Sequence, residues 1–496
     1  MKKYLQIILF FYLSIAAAQQ LPIPFVENGL NNSQKSTRAT SFEEILKNGK
    51  THFKSVDIFK KGSGYKPFKR WEYHWSHYLL ENGTIAPAET LWNAWEQKQK
   101  MAEYTKATSN WVPVGPFSQS SNSGQGRINT IIVDPNNTNT IYVGAPAGGL
   151  WKSTDAGVSW TPLTDHLPQI GVSGIAIDPN NSNIIYISTG DDDAGDSYAI
   201  GVRKSIDGGV TWSPTGFMAG NPTSSNEIFI DPTNSNIIWV ATSSGLFQST
   251  NAGVSWTRKL TGHIRDFRLK PNDPNTIYAV TSQILYTSTN GGTSFSNVSV
   301  GLPAPGLVGR LRVEVTPSAP NNVYILAAKT SSNNYAFEGV YKSTNFGVTF
   351  NKTVESDDIF SGSTQAWYDL AFTVSPANQN TIFVGVLDIW KSTNEGNDFL
   401  KMNDWRIVNS AFTHADIHFL RYFGNVLYAG TDGGIYKSTD NGVTFTDLTK
   451  NLAISQFYKV TVSKQNSNKL AGGLQDNGGF SLSNNTWHNY HGGDGM

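Results

Sequence analysis

One eight-residue pattern, S-x-D/N-x-G-x-x-W/F, occurs seven times in this chain. It runs from Ser153 to Trp160, Ser205 to Trp212, Ser249 to Trp256, Ser288 to Phe295, Ser343 to Phe350, Ser392 to Phe399 and Ser438 to Phe445. The intervals between the serines are 52, 44, 39, 55, 49 and 46 residues. A repeat of that length is one supersecondary unit that cannot bury its apolar face alone, so neighbouring units must stack. A second repeat precedes the pattern: a hydrophobic strand, a Pro/Asn turn and another strand, as in IIVDPNNTNTIYVG, IAIDPNNSNIIYIS, IFIDPTNSNIIWVA, FRLKPNDPNTIYAV and FTVSPANQNTIFVG. Asp and Asn bond to the turn backbone and Pro presets φ, which makes each a tight connection between antiparallel strands. A β-rich unit with a period in the forties is a propeller blade of four strands. The expected fold is therefore all-β, a propeller of about seven complete blades.

Within the pattern, Ser and Asp oxygens accept backbone N–H bonds in a hairpin, Gly supplies a positive φ, and the aromatic ring packs between blades. That role is structural, so function has to be sought elsewhere. Composition narrows the classes. The chain has 38 basic and 38 acidic side chains, which argues against a nucleic-acid or membrane-surface binder. It has no cysteine, which excludes disulfide scaffolds, thiolate metal sites and cysteine nucleophiles. Its 14 Trp, 20 Tyr and 26 Phe suit sheets and carbohydrate contact better than helical bundles.

The start of the chain reads as a targeting segment: Lys2 and Lys3, an uncharged apolar run from Tyr4 to Ile15, then Ala16-Ala17-Ala18 before Gln19. No other stretch reaches the roughly 20 apolar residues of a spanning helix, and no cysteine at the cleavage point offers a lipid anchor. The expectation is a signal peptide over 1–18 and export to the extracellular space or cell surface, without membrane insertion. A polar linker should cover 19–40 and a helical extension 41–110. In that extension Ser41 and Glu44 have capping-box spacing, Pro87 suits a helix start, and Trp71 and Trp75 share one helical face that packs on the main domain. The propeller should occupy 111–452. Strands within 453–496 should begin a further blade or a second propeller, with the degenerate pattern LSNNTW, and the chain is expected to be truncated at Met496.

Ligands of propellers are read on the face where the loops between second and third strands converge over the channel. Alignment of the repeats places these loops at 145–149, 190–200, 242–245, 329–339, 387–388, 431–434 and 475–479. In GDDDAGDSYAI, Asp191, Asp192, Asp193 and Asp196 have a spacing compatible with an oxygen-ligand calcium site and also with a solvated acidic loop. HADIHFL is H-x-D-x-H, and period-2 alternation puts His414, Asp416 and His418 on one face, able to hold a divalent metal, relay protons or line a hydrogen-bonded channel wall. Asp432 or Asp476 is the expected further ligand or its support. Asp432 in TDGG, Gln475, Asp476 and Asn477 in GLQDNGG, and His491 and Asp494 in HGGDG stand beside glycines, where backbone can approach a ligand or simply turn. Arg127, Arg265 and Arg310 begin inner strands, without the R-I-P motif of sialidases.

The order HADIHFL, GTDGGIYKSTDNG, GGLQDNGG, Trp487 and GGDG, together with S-x-D-x-G-x-x-W, resembles exported bacterial BNR (Asp-box) repeat proteins related to the sortilin N-terminal domain and to glycoside hydrolase family 74. GYKPFKRWEYHW is similar to the N-terminal extension of flavobacterial members, many of which end in a type IX secretion sorting domain. The resemblance implies one of two functions. The first is binding of an extracellular polypeptide or glycan, with Arg127, Asp432, Gln475, Asp476, Asn477 and Asp494 as contacts. The second is hydrolysis of a β-glucan or xyloglucan type polysaccharide, with an acid and a base or nucleophile drawn from Asp388, Asp416, Asp432, Asp476 and Asp494. The sequence leaves the oligomeric state open.

Overall fold

The computed structural model describes residues 42–60, 63–86, 89–101, 112–118, 123–168, 171–195, 197–217 and 224–495. The signal-peptide and linker expectations, with Ser41 and Pro87, lie outside these residues. The chain divides into two units, 1–87 and 88–496.

In the smaller unit, α1 (Phe42–His52) carries Glu43 and Glu44 in its first turn and Lys50 and His52 in its last, the order that suits the helix dipole. In α2 (Tyr65–Ser76), Trp71 and Trp75 lie one turn apart and are both buried. Trp71 stacks on Phe42 with ring centroids 5.2 Å apart. The third helix, α3 (Glu89–Met101), belongs to the larger unit: Trp92 packs with Tyr142, Leu150 and Ile175, and the Arg203 guanidinium lies 3.9 Å over its ring.

The larger unit holds eight four-stranded antiparallel sheets among the described residues, each built of four consecutive strands. We number the first seven as blades: 130–162, 172–214, 225–261, 266–298, 308–352, 371–401 and 417–447. The eighth sheet spans 457–491. Strand alternation builds the ring. In the second strand of blade 1 (Asn137–Ala145), Ile141 and Val143 enter a core shared with Phe419 and Tyr428 of blade 7. Tyr142 points the other way, into a core shared with Ile175 and Ile187 of blade 2. The same split recurs round the ring: Tyr186 meets Ile228, Trp239 meets Phe267, Tyr278 meets Leu311, Tyr324 meets Phe372 and Phe383 meets Leu420. Seven cores join seven blades in a closed cycle, and the eighth sheet contributes to none of them.

The repeated turns have the chemistry their residues dictate. In blade 1 the Ser153 hydroxyl donates to Asp155 Oδ1 (2.8 Å) and accepts from the Gly157 N–H (2.8 Å), while Asp155 Oδ1 accepts from the Ser159 N–H (2.9 Å). Gly157 has φ 91°. The Trp160 indole donates to the Leu448 carbonyl of blade 7 at 2.8 Å, so one turn also helps to close the ring.

Candidate functional site

The second-to-third-strand loops share one end of the ring, and the loop of blade 2 is the most heavily charged of them. In the blade 2 loop three consecutive aspartates reach three different arginines. Asp191 Oδ2 lies 2.7 Å from Arg127 before blade 1, Asp192 Oδ2 lies 2.6 Å from Arg265 at the entry to blade 4, and Asp193 Oδ1 lies 3.0 Å from Arg310 in blade 5. Asp192 also meets His263 (2.7 Å) and the Ser224 hydroxyl (2.5 Å). Burial opposes ionisation of Asp192 and Asp193, but His263 and Arg265 in one case, Arg310 and His418 in the other, hold both carboxyls well below the usual range. Below this loop the channel is walled by a further network, in which Arg268 bonds Asp266 (2.5 Å) and Glu314 (3.0 Å) and Arg421 bonds Glu227 (2.6 Å).

This arrangement corrects two expectations. Asp191 and Asp193 turn to separate guanidinium groups instead of converging on calcium; Asp196 lies outside the described residues. Arg127 is not presented to a ligand, because its guanidinium is fully buried against Asp191 and the Tyr368 ring.

Blade 7 supplies the other half of the site. Its inner strand, Ile417–Phe423, follows Asp416, whose φ of 62° is left-handed, and the pairing register shifts between Ile417 and Phe419. Strict alternation therefore does not run through H-x-D-x-H. His418 Nδ1 lies 3.0 Å from Asp193 and Nε2 lies 3.0 Å from Asp432, so carboxylates occupy both ring nitrogens. Burial works against the charged imidazole, yet these two bonds push its pKa up to about 9. His414 is buried beside Gly433 and Ala415. The set His414, Asp416, His418 is thus replaced: among the described residues, the acidic atoms that come together are those of Asp416, Asp432 and Asp476, all within 4.8 Å of one another.

Asp432 is the hub of this cluster. Besides His418 it accepts from the Tyr368 hydroxyl (3.0 and 2.8 Å) and from Gln475 Nε2 (2.9 Å). Burial would raise its carboxyl, but His418, Arg127 and Gln475 lower it. Asp416 goes the other way, raised by burial and by repulsion from Asp476 and Asp432. Asp369, fully buried beside Asp416, is raised well above the carboxylate range for the same two reasons, burial first and then the neighbouring carboxylates Asp416 and Asp432. The loop of the eighth sheet completes the cluster. Asn477 Nδ2 donates to the Asp432 carbonyl (2.9 Å), and the Asp476 N–H meets Asp494 Oδ1 at 3.2 Å, which also accepts from Tyr458 (3.1 Å). Asp388 stands apart, held by Lys401 (2.8 Å) and the Trp405 N–H (2.8 Å).

Sequence reasoning missed Tyr368 and Asp369, which arrive at the end of the long connection between blades 5 and 6. The available signal was positional: they directly precede an inner strand, as Arg265 and Asp416 do.

A closed seven-bladed ring, its channel crossed by an ion-paired loop and its mouth carrying a carboxylate cluster, defines a β-propeller. Solved structures similar to it include a GH74 enzyme of Niastella koreensis (TM-score 0.54, 20% identity, 75% of this chain and 60% of that one). The GH74 xyloglucanase of Xanthomonas campestris is also similar (0.54, 16%, 71% and 58%), as is an ancestral GH74 enzyme (0.55, 17%, 76% and 55%). At such identities the likeness concerns the fold, and the chain spans about 60% or less of the length of these enzymes. No protein-family model and no curated protein sequence matches the chain. Among the described residues no helix is long and apolar enough to cross a membrane.

Proposed function

We propose that the protein is an exported propeller that binds a glycan or polypeptide ligand at the mouth of its ring, against Asp476, Gln475, Asn477 and Asp494, with the buried Asp432 behind them as the acceptor that positions Gln475. The observation that carries this reading is the cluster itself. It offers acceptor oxygens in excess of donors: Asp416 Oδ1, Gln475 Oε1 and Asn477 Oδ1 are buried without a hydrogen-bond partner. Hydroxyl groups of a sugar, or ammonium and amide groups of a polypeptide, supply the donors that such atoms call for. The leader-like first 18 residues and the resemblance to exported Asp-box proteins of the sortilin N-terminal type support export, with type IX secretion in a Bacteroidetes host as the matching route.

One observation favours a second reading, a glycoside hydrolase acting on β-glucan or xyloglucan type chains. Carboxyl oxygens of Asp416, Asp432 and Asp476 within 4.8 Å approach the separation of about 5 Å found between the two carboxyl groups of retaining glycosidases.

A polysaccharide and polypeptide panel, assayed for binding and for reducing-end release, tests both readings. Binding without release is expected, and Gln475→Ala should weaken it about tenfold, the loss of one or two hydrogen bonds. Release that disappears in Asp432→Asn would establish the hydrolase instead, and no binding to any member would remove the first reading.

A further inference from the structure

We propose that Asp416, Asp432 and Asp476 hold a divalent cation of the calcium type at the seam between blade 7 and the eighth sheet. Calcium sits about 2.3–2.6 Å from its oxygen ligands, so two of them are at most about 5.2 Å apart. Three carboxylate oxygens within 4.8 Å of one another meet that condition around a single ion.

A second observation points to the same place. Asp416 and Gln475 are only 6% and 8% exposed, yet Asp416 Oδ1 and Gln475 Oε1 have no hydrogen-bond partner. Gln475 donates through Nε2 to Asp432 Oδ2 at 2.9 Å, so its side chain borders the cluster. A buried acceptor left without a donor is destabilising, and a cation would satisfy these oxygens together.

The donor set selects the ion. It is all oxygen: the chain has no cysteine, and both ring nitrogens of His418 are engaged by Asp193 and Asp432. Zinc and other ions that favour nitrogen or sulfur have no such ligand here, whereas carboxylate and amide oxygens suit calcium. Asp476 is partly exposed, which leaves the ion a path from solvent, and waters would fill the rest of its shell. Asp416 Oδ1 and Gln475 Oε1 are also among the acceptors assigned to a glycan or polypeptide, so the ion takes these two and leaves Asn477 Oδ1 for the ligand; titration with the ion alone tests the site separately from the proposed function.

Titration of the full chain with CaCl2 after EGTA treatment, followed by calorimetry and thermal melting, tests the site. One ion per chain and a rise in Tm with calcium are expected. Terbium should report the same site through sensitised emission, because the Tyr368 hydroxyl lies 2.8 Å from Asp432. Asp476→Asn should weaken calcium at least tenfold while its melt in EGTA matches the wild type. Asp404→Asn, whose carboxylate pairs with Arg406 on the surface, should bind calcium normally. Folded wild type that takes up neither ion, or an Asp476→Asn protein that binds as tightly as wild type, overturns the proposal. Stoichiometric zinc in preference to calcium overturns it as well.

Discussion

At Ser153 a single hydroxyl donates to Asp155 and accepts from Gly157, and it is almost wholly buried. Removing it in Ser153→Ala leaves the Gly157 N–H without its acceptor, at a cost of about 1–3 kcal/mol. Gly157→Val is expected to be the more damaging change. Its backbone φ is 91°, and a Cβ there would come within 2.7 Å of Leu448 Cδ1 in the neighbouring blade. Urea unfolding should report both losses, while ligand or calcium binding by the folded fraction stays unchanged. A variant of full stability that has lost binding would assign these turns a role other than the structural one. The serine and glycine were readable from the repeat because every partner except Leu448 lies within six residues. By contrast, Asp416 was read on the wrong local geometry: its left-handed φ interrupts the alternation that H-x-D-x-H suggests.

At the scale of elements, strands and turns were legible because their signals are local. Of the loops expected from repeat alignment, 145–149, 242–245 and 431–434 coincide with the ends of the second and third strands and the others fall within two residues of them, while the blade 4 loop at 281–284 was not among those expected. Partners across the ring were not legible. Asp191 pairs with a residue 64 positions away, Asp192 with one 73 away and Asp193 with one 117 away, and no periodicity carries such separations. The third helix is an intermediate case: its aromatics were visible, but the surface that receives them was not. Trp92 lies between Arg203 and the core of blades 1 and 2, and Trp95 donates to the His166 carbonyl at 3.1 Å. Trp92→Ala should cost about 3 kcal/mol or more, as large aromatic truncations in cores do. Hydrogen exchange should then rise first in blades 1 and 2; an even rise over all seven blades would show that α3 stabilises the ring as a whole.

At the scale of the molecule, no sheet among the described residues borrows a strand from another, so ring closure depends on packing, on turn contacts such as Trp160 to Leu448 and on the aspartate loop of blade 2. Asp192→Asn leaves Arg265 and His263 facing a neutral amide, and a loss toward the lower end of ~3–5 kcal/mol is expected at pH 7, since Arg265 is partly exposed. The folded Asp192 carboxyl is depressed below its unfolded value, so its contribution is complete above about pH 4 and is lost as pH falls through the depressed value. Urea melts of wild type and Asp192→Asn between pH 7 and pH 2.5 should differ by a constant amount until the acid end, where the gap closes. Closure near pH 6 would instead assign the effect to a histidine.

The same loop bears on how such a chain can change over generations. Seven repeats this similar invite unequal recombination, which adds or deletes a blade. Arg127 enters blade 1, Arg265 enters blade 4 and Arg310 lies in blade 5, and each finds its own aspartate on a loop of blade 2. A ring of six or eight would carry at least one arginine away from its aspartate and strand a buried charge. Three adjacent acidic residues thus serve as a tally of the blades, tolerant of drift in any one repeat and intolerant of a change in their number.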